Sequence, residues 1–570
     1  MKSLRSRRLT GLFLLVAITA CVASVRAQES QLGRVEFKTS GSEKAQAHFL
    51  YGLAALHSFW YEEALDSFRE STKVEPDFMM GYWGEAMAYN HPLWGEQDTP
   101  AARLVIAKIK DTPGLSARER AYLNAVKVLY GEGDKRERDA AYSAAMEKIY
   151  RDYADDLDAA AFYSLSLLGL GSEGRGYRLH ALAGAIALDV YQRNPNHPGA
   201  AHYIIHAFDD PDHAILALPA ARRYASIAPE AHHARHMPAH IFLQLGMWPE
   251  AAASNESAWE ASDAWMKRRH LSPGVRDYHS LHWLLYAYLQ QGRYAKAEEL
   301  LALMKKVMSE SSYDNKLRPG YYENNYANMA AAFVVETERW ELAAKLFPAT
   351  GPDEQSASEQ TAMGNHGGHG AVPVAAAAAT ASPSSSTYGS MTVRASSASQ
   401  TLPRFIRGLS AAVNSAPEAS LAGQQALLPS NASATEAMDI RELEVAAVAA
   451  SVKQNYGKAI ELMKKATLLE EAMGAPSGPP MLTKPSHELF GEILLRAGKP
   501  QEAAAQFRTA LLRQPNRARS LLGAARAAAK SGDKDGAAAA YAKLLDQWRQ
   551  ADESLPELRE AREYLKEAKR

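Results

Sequence analysis

Small and aromatic residues recur along this chain at intervals typical of paired helices. Counting Ala45 as position 1, small residues occupy positions 8 (Gly52) and 20 (Ala64), an aromatic residue occupies position 24 (Phe68) and proline occupies position 32 (Pro76). Small residues let two helices approach closely, the aromatic ring fills the layer between them, and proline ends the second helix. The pattern predicts a helical hairpin of 34 residues.

The same pattern returns elsewhere in the chain. A second clear copy runs from Lys484 to Arg517, and another starts at Ala518. Weaker copies start near Pro198, His232, Tyr278, Asn324 and Ile440. The period and the residue types at these positions resemble the tetratricopeptide repeat (TPR) family. The resemblance implies an all-α fold, a TPR-type helix–turn–helix solenoid that forms a right-handed superhelical array, because a single repeat cannot bury its apolar faces alone.

One segment interrupts the helical pattern. Residues 351–401 are rich in Ala, Ser, Gly and Pro, and Gly351 to Gln400 contains no Leu, Ile, Phe or Trp. Such a composition cannot repay the entropy of ordering the chain. We therefore predict a disordered linker between two lobes of TPR repeats, 40–350 and 402–570.

The N-terminus has the features of an export signal. Basic residues precede an apolar run from Leu9 to Val25, and Val25-Arg26-Ala27 ends it as a small-residue cleavage site. We predict a signal peptide over 1–27 and a periplasmic or secreted protein. The alternative is a lipoprotein signal ending before Cys21, since Ile18-Thr19-Ala20-Cys21 resembles a lipobox. That lipid anchor would hold the protein at a membrane.

Charge argues against nucleic acid as a partner, and hydropathy argues against a membrane span. The formal net charge is -1, and it falls to about -6 without the five basic residues of 1–27. A mildly acidic chain without Lys/Arg clusters has no electrostatic footprint for nucleic acid. No stretch beyond the N-terminal segment has the 18 or more apolar residues that a membrane span needs, so we predict no membrane span.

Several short stretches also resemble a group of exported bacterial TPR proteins. They are Tyr82-Trp83-Gly84, His91-Pro92-Leu93-Trp94, His197-Pro198-Gly199-Ala200-Ala201-His202-Tyr203, His236-Met237-Pro238-Ala239-His240-Ile241-Phe242 and Pro515-Asn516-Arg517. This resemblance implies a solenoid without an established chemistry.

Histidine is concentrated in one part of the chain. Twelve of the 18 histidines fall between His180 and His282. Positions 2, 5, 9, 12 and 13 of the first helix of each repeat share one face, because separations of three and four residues follow the helical turn. In TPR proteins that face lines the concave groove. The predicted groove residues are His202, His206, Asp209, Asp210, His233, His236, His240, His279 and His282.

These histidines have three interpretations. His202 and His206, one helical turn apart, could join His236 and His240 as the ligands of a zinc or copper ion. At an open zinc site Asp209 or Asp210 could act as a base. The histidines could instead line a peptide groove, or they could be structural residues held by hydrogen bonds. Pro238 argues against the metal site, because it is a natural first residue of a helix and would place His236 outside that helix.

A second groove feature lies further along the chain. Asn325 and Asn328 occupy positions 2 and 5 of their repeat and loosely resemble the asparagine helix of carboxylate-clamp TPR domains. The lysines and arginine that flank the clamp are absent at the equivalent positions. We include both residues in the predicted groove.

The sequence therefore predicts an exported TPR scaffold that binds a protein or peptide partner through its concave groove. The alternative is a metal-binding protein, including a metal-dependent hydrolase. No His-Glu-x-x-His motif, phosphate loop or nucleophile elbow appears, so we predict no catalytic residue and no cofactor other than the zinc or copper of the alternative.

Overall fold

The computed structural model describes residues 31–171, 177–310, 320–348, 402–414, 436–473, 478–480 and 482–568. The predicted signal peptide (1–27), Cys21 and the predicted linker (351–401) lie outside these residues. Residue contacts divide the chain into two compact units. The first holds the described residues up to Ala287, with Gly478 and Arg513–Asn516, and the second holds the others from Tyr288 onward.

Helices make up nearly all the regular structure of the first unit. They are α1 Glu43–His57, α2 Tyr61–Val74, α3 Met79–Met87, α4 Thr99–Ile106, α5 Ala117–Leu129, α6 Lys135–Asp152, α7 Leu157–Gly171, α8 Tyr177–Arg193, α9 Pro198–Ala207, α10 Ala214–Ile227, α11 His232–His236, α12 Pro238–Gln244, α13 Trp248–Arg268, a short 3-10 helix Pro273–Val275, and α14 Tyr278–Gln290, whose last three residues belong to the second unit. A two-stranded antiparallel ribbon, β1 Asn90–His91 and β2 Glu96–Gln97, interrupts them and pairs His91 with Glu96.

The second unit continues with helical hairpins. Its helices are α15 Tyr294–Ser309, α16 Tyr321–Thr337, a 3-10 helix Trp340–Leu342, α17 Ala343–Leu346, α18 over 402–413, α19 Glu436–Val452, α20 Tyr456–Ala472, α21 Ser486–Arg496, α22 Pro500–Arg513, α23 Ala518–Ser531, α24 Lys534–Gln547 and α25 Pro556–Ala568. In neither unit is a described helix both long enough and apolar enough to cross a membrane.

The spacing of small and aromatic residues has a direct packing cause. A β-carbon built on Gly52 of α1 would lie 3.0 Å from the ring of Phe68, and one on Gly84 of α3 would lie 2.3 Å from it. The ring of Phe68 is therefore packed between two helices that have no side chain at the contact. Phe507 lies in the same way between α21 and α23. The prediction of a repeating helix–turn–helix fold is confirmed.

The turn inside most hairpins holds one residue in the left-handed backbone region. Glycine occupies it in four hairpins, because a side chain there costs about 1–2 kcal/mol. The positions are Gly246, Gly292, Gly498 and Gly532, with Phe59, Glu338 and Gln454 in three others. The α9–α10 hairpin differs, since a longer connection that carries Asp209 and Asp210 replaces the tight turn.

Helix α9 is the centre of the first unit. It packs against α8 and α10, its neighbours along the chain, and also against α1, α7 and α12. Its start is fixed by Pro198 in its first turn and by the side chain of His197, whose Nδ1 accepts from Ala200 N at 3.1 Å. The histidines of α9 are thereby held where several hairpins meet.

Candidate functional site

Three histidines meet between α9 and α11. The Nε2 atom of His202 lies 3.0 Å from Nε2 of His206 and 3.2 Å from Nε2 of His233. His202 is fully buried, and its Nδ1 lies 2.8 Å from the backbone oxygen of His57. Burial lowers the pKa of His202 to about 3, so its ring is neutral at physiological pH. We call His202, His206 and His233 the first triad.

A second group of three lies beside the first. Nε2 of His236 is 3.2 Å from Nε2 of His240, and His279 completes the group, whose ligand-capable atoms all lie within 4.8 Å of one another. Burial lowers the pKa of His236 to about 4. We call His236, His240 and His279 the second triad. It adjoins the first, because the ring centroids of His206 and His240 are 5.9 Å apart.

The predicted break at Pro238 does not separate His236 from His240. Met237 lies between α11 and α12 with φ −54° and ψ −35°, which is helical geometry. Because the chain continues its helical path through Met237, the two histidines stay one turn apart on one face. Pro238 begins α12 and His236 lies outside that helix, as expected, but the helical geometry of Met237 keeps His236 and His240 on one face, so the proline is no argument against their meeting.

The two carboxylates that sequence analysis offered as bases are both engaged. Asp209 Oδ2 accepts from Nδ1 of His240 at 2.7 Å, and Asp209 Oδ1 accepts from Gln244 Nε2 at 3.1 Å. Asp210 Oδ1 accepts from the backbone N–H of His213 at 3.0 Å and from its Nδ1 at 2.9 Å. Asp209 therefore orients a histidine of the second triad, and Asp210 closes the α9–α10 connection.

Aromatic rings enclose both triads. The ring centroid of Phe59 lies 4.2 Å from that of His202, and the centroid of Trp283 lies 4.3 Å from that of His240. Phe59 is one of the residues with a left-handed backbone, at φ 54°. Four other hairpins have glycine at this turn position. Phe59 instead adopts the strained conformation and directs a large ring against the histidines.

A third group of titratable residues is fully buried nearby. Asp158 Oδ1 lies 2.9 Å from Nε2 of His57 and 3.3 Å from Nε2 of His197. Nδ1 of His57 lies 2.9 Å from the hydroxyl of Tyr203. Burial acts to raise the pKa of Asp158, but the two histidine contacts outweigh it and hold that pKa well below its usual range.

An open cleft of about 310 Å³ reaches the first triad from one side. Its wall includes the triad residue His206 together with both aspartates of the α9–α10 connection. Tyr177, which lines the cleft, is 58% exposed. The cleft thus connects solvent with an imidazole and with apolar lining residues.

The predicted groove residues do not all share one site. Six of them form the two triads, and Asp209 and Asp210 border them. His282 is half-buried on α14, and burial lowers its pKa to about 3. Asn325 and Asn328 belong to the second unit, where Asn325 is buried and its Nδ2 donates to Tyr321 O at 2.8 Å, while Asn328 is exposed.

Several residues of this region were not predicted as site residues. Among them are His57, Phe59, Asp158 and Asn255. His57 contacts His202 from α1, 145 residues earlier in the chain, so the 34-residue period carries no signal for it, whereas Asn255 contacts His236 from α13, the second helix of the same hairpin. The left-handed turn position of Phe59 could have been found, because it aligns with glycine in other hairpins.

A separate buried ion network occupies the second unit. Glu488 accepts from Arg517 Nε at 2.7 Å, from Ser520 Oγ at 2.6 Å and from Lys484 Nζ at 3.1 Å. All three charged side chains are at most 3% exposed. Each charge has a partner of opposite sign, which makes this network a structural element.

The hairpins and their turns define a class of protein, the helical-repeat proteins. Comparison with known families gives the particular repeat: residues 489–552 match the family model for the tetratricopeptide repeat. This part of the chain carries tetratricopeptide repeats, as predicted from its spacing. No curated protein matches the chain. The resemblance to the exported bacterial type stays a prediction.

Solved structures are similar over most of the chain but do not superpose well. The APC/C hetero-tetramer Cut9–Hcn1 has 12% identity, covers 92% of this chain and 96% of its own, and gives a TM-score of 0.24. Yeast Tom70 has 11% identity, 93% and 89% coverage and a TM-score of 0.22. The P58(IPK) TPR domain has 12% identity, 92% and 97% coverage and a TM-score of 0.21. With TM-scores this low, the similarities carry no argument about this chain.

Proposed function

We propose that this protein is a scaffold that binds a protein partner, and that the cleft of the first unit receives a peptide segment of that partner. Proteins built from tetratricopeptide repeats use their extended surfaces for protein interaction. The observation that supports this cleft as the place is its combination of an open volume of about 310 Å³ with apolar lining residues, of which Tyr177 is 58% exposed. A cleft that combines apolar lining with a few polar groups is typical of a binding site.

The lining indicates the chemistry of the segment. Leu93, Leu168 and Phe208 supply apolar wall, and Asp210 supplies a carboxylate. An apolar side chain of the partner would enter the cleft while its backbone N–H groups donate to the carboxylate. We therefore propose a segment with one or two large apolar side chains and no acidic residue beside them, because a carboxylate would face Asp210.

Selection from a displayed peptide library tests this proposal. Peptides selected on the purified protein would be titrated by calorimetry against the wild type, Tyr177→Asp and Leu93→Asp, both of which change cleft-lining residues. Removing one well-placed apolar contact costs about 1–2 kcal/mol or more, so each variant should lower affinity by at least about fivefold. Leu104→Asp is the matched control, because Leu104 is 73% exposed on α4 of the same unit and lies outside the cleft lining.

Two outcomes would contradict the cleft as the binding site. Selection could yield no peptide, or the selected peptides could bind the wild type and both cleft variants equally. Loss of binding in Leu104→Asp to the same extent would also count against it, because the effect would then come from added charge and not from the cleft.

We also propose that the protein is exported, either released after cleavage following Ala27 or anchored through Cys21. The basic and apolar pattern of residues 1–27 supports this proposal. Fractionation of expressing bacteria, with mass spectrometry of the mature N-terminus, separates the two routes. A chain that starts at Gln28 indicates a signal peptide. A lipidated chain that starts at Cys21, and that Cys21→Ser releases from membranes, indicates the anchor. An uncleaved cytoplasmic chain would contradict both.

A further inference from the structure

We propose that the two histidine triads are adjoining metal sites, each of which binds one first-row transition-metal ion of the kind that imidazole prefers, such as Zn²⁺ or Cu²⁺. The inference is independent of the peptide cleft. It also differs from the single four-histidine site that the sequence predicted, because His202–His206 and His236–His240 belong to different triads in the structure.

Hydrogen bonds fix which nitrogen of each key ring carries the proton. Nδ1 of His202 faces the backbone oxygen of His57, which only accepts, so Nδ1 must be the donor. Nδ1 of His240 faces the carboxylate of Asp209 and is a donor for the same reason. A neutral imidazole with its proton on Nδ1 has a lone pair on Nε2. Both rings therefore direct a bare Nε2 into their triads.

The same reasoning applies to His236. Its Nδ1 lies 2.6 Å from Oδ1 of Asn255, and the amide is oriented by its own Nδ2, which donates to Ala251 O at 2.9 Å. The amide oxygen accepts, so Nδ1 of His236 is the donor. Contacts of this kind, from a ring N–H to a carbonyl, amide or carboxylate oxygen, are the usual support of a metal-bound histidine.

With neutral rings, the Nε2 atoms within each triad cannot all be paired with one another by hydrogen bonds. Nε2 of His236 and Nε2 of His240 are 3.2 Å apart, and neither carries a proton when the rings are neutral. In the first triad His206 and His233 both approach the one lone pair of His202, which can accept from only one of them. A cation held between the nitrogens removes the conflict in both triads.

The shortest nitrogen separations in both triads fit metal coordination, and the others are at most 4.8 Å. Metal–nitrogen distances of about 2.0–2.1 Å in a tetrahedral site place two ligand nitrogens about 3.3–3.4 Å apart. The observed 3.0 and 3.2 Å lie close to this value. Three histidines leave the fourth position of a tetrahedral ion for water or a ligand, which is the arrangement of catalytic and ligand-binding zinc sites.

The third titratable group provides an internal contrast. Ala200 N–H donates to Nδ1 of His197, so the ring proton of His197 is on Nε2 and faces Asp158. His57 can donate from Nε2 to Asp158 and accept at Nδ1 from Tyr203. Every nitrogen has a suitable partner with neutral rings, so no cation is required. We assign this group a structural role despite its metal-like composition.

Metal counting on the intact mature chain tests the proposal. The protein would be purified without a histidine tag and titrated with Zn²⁺ against a chromophoric chelator, with elemental analysis after desalting and Co²⁺ absorption as a second readout. The wild type should bind two equivalents. His206→Ala should remove one and His240→Ala the other, and the double variant should bind none. His213→Ala is the matched control, because His213 lies at the same cleft, outside the triads, and should leave two.

A variant of a supporting residue distinguishes coordination from folding. Asp209→Asn keeps an acceptor for His240 but loses the charge, and removing such support typically weakens metal binding about 10–100-fold. Circular dichroism would verify that each variant is folded. Two equivalents lost triad by triad support the proposal. No Zn²⁺ bound by the folded wild type, or two equivalents retained in the folded double variant, would overturn it, and a single equivalent would overturn the paired site.

Discussion

Glu444 on α19 is a carboxyl group whose charge the fold disfavours. It is fully buried, one oxygen accepts from Ser486 Oγ at 2.7 Å, and Oε2 has no hydrogen-bond partner among the described residues. Burial, with a contribution from the negative charge of Glu470, raises the pKa of Glu444 to about 8. Its ordinary value is 4.5. The folded protein therefore keeps this proton at neutral pH, while the unfolded chain releases it.

The sign of the pH effect follows from proton binding. Between pH 4.5 and 8 the folded state holds more protons than the unfolded state, so the stability contributed by Glu444 is complete below pH 4.5 and declines as pH rises. The maximal slope is about 1.4 kcal/mol per pH unit. Integrated from pH 5 to pH 8, the free energy of unfolding should fall by about 3–4 kcal/mol.

Glu444→Gln isolates this contribution, because glutamine has the shape of a protonated glutamate and does not titrate. Urea unfolding of both proteins at pH 5, 6, 7 and 8, followed by circular dichroism, gives the difference in free energy. The variant should gain about 3–4 kcal/mol on the wild type across that range. Glu461→Gln is the control, because Glu461 is exposed on α20 and solvent screens its pairs with two lysines, so its pH profile should run nearly parallel to that of the wild type. Parallel pH profiles for wild type and Glu444→Gln would refute the reasoning.

Three further predictions concern packing, the buried carboxylate and the turns. Gly523→Ala should destabilise the protein by about 1–3 kcal/mol in urea unfolding, because the new β-carbon would lie 2.2 Å from the ring of Phe507. Gly457→Ala on α20 is the contrast, since its β-carbon would meet no atom within 4 Å, and it should stabilise the protein by about 0.5–1 kcal/mol. Asp158→Asn should lower the free energy of unfolding by about 3 kcal/mol in the same assay, because the charged hydrogen bonds to His57 and His197 are lost. Elemental analysis of this variant should show the same zinc content as the wild type. Gln454→Gly should stabilise by about 1 kcal/mol, because glycine relieves the left-handed backbone at φ 59°; a melting temperature equal to or below that of the wild type would contradict this.

Much of the fold could be predicted from the sequence because the packing is local and periodic. The positions of Gly52 and Phe68 imply the contact that the structure shows, and the same pair of residue types identifies the hairpin around Phe507. Hairpins that lack these residues were not recognised as repeats, including α5–α6 and α7–α8. Their helices pack through other side chains, so the 34-residue pattern carries no information about them.

The candidate site could be predicted only in outline. Helical spacing places His202 with His206 and His236 with His240, and both pairs are in contact. The spacing does not give the third member of each triad. His233 reaches His202 across two hairpins, and His279 comes from a further helix, so both contacts depend on how the hairpins stack and not on the period within one of them.

The α9–α10 connection explains why the histidines gather at this place in the array. Most hairpins turn tightly through one left-handed residue, whereas this one lengthens and brings the carboxylate of Asp209 to within 2.7 Å of Nδ1 of His240. On the opposite side, Phe59 accepts a left-handed backbone and covers His202. Each departure places a side chain against a triad histidine, since Asp209 orients His240 and Phe59 encloses His202. The cation binding that we propose for the triads would give both departures one physical reason.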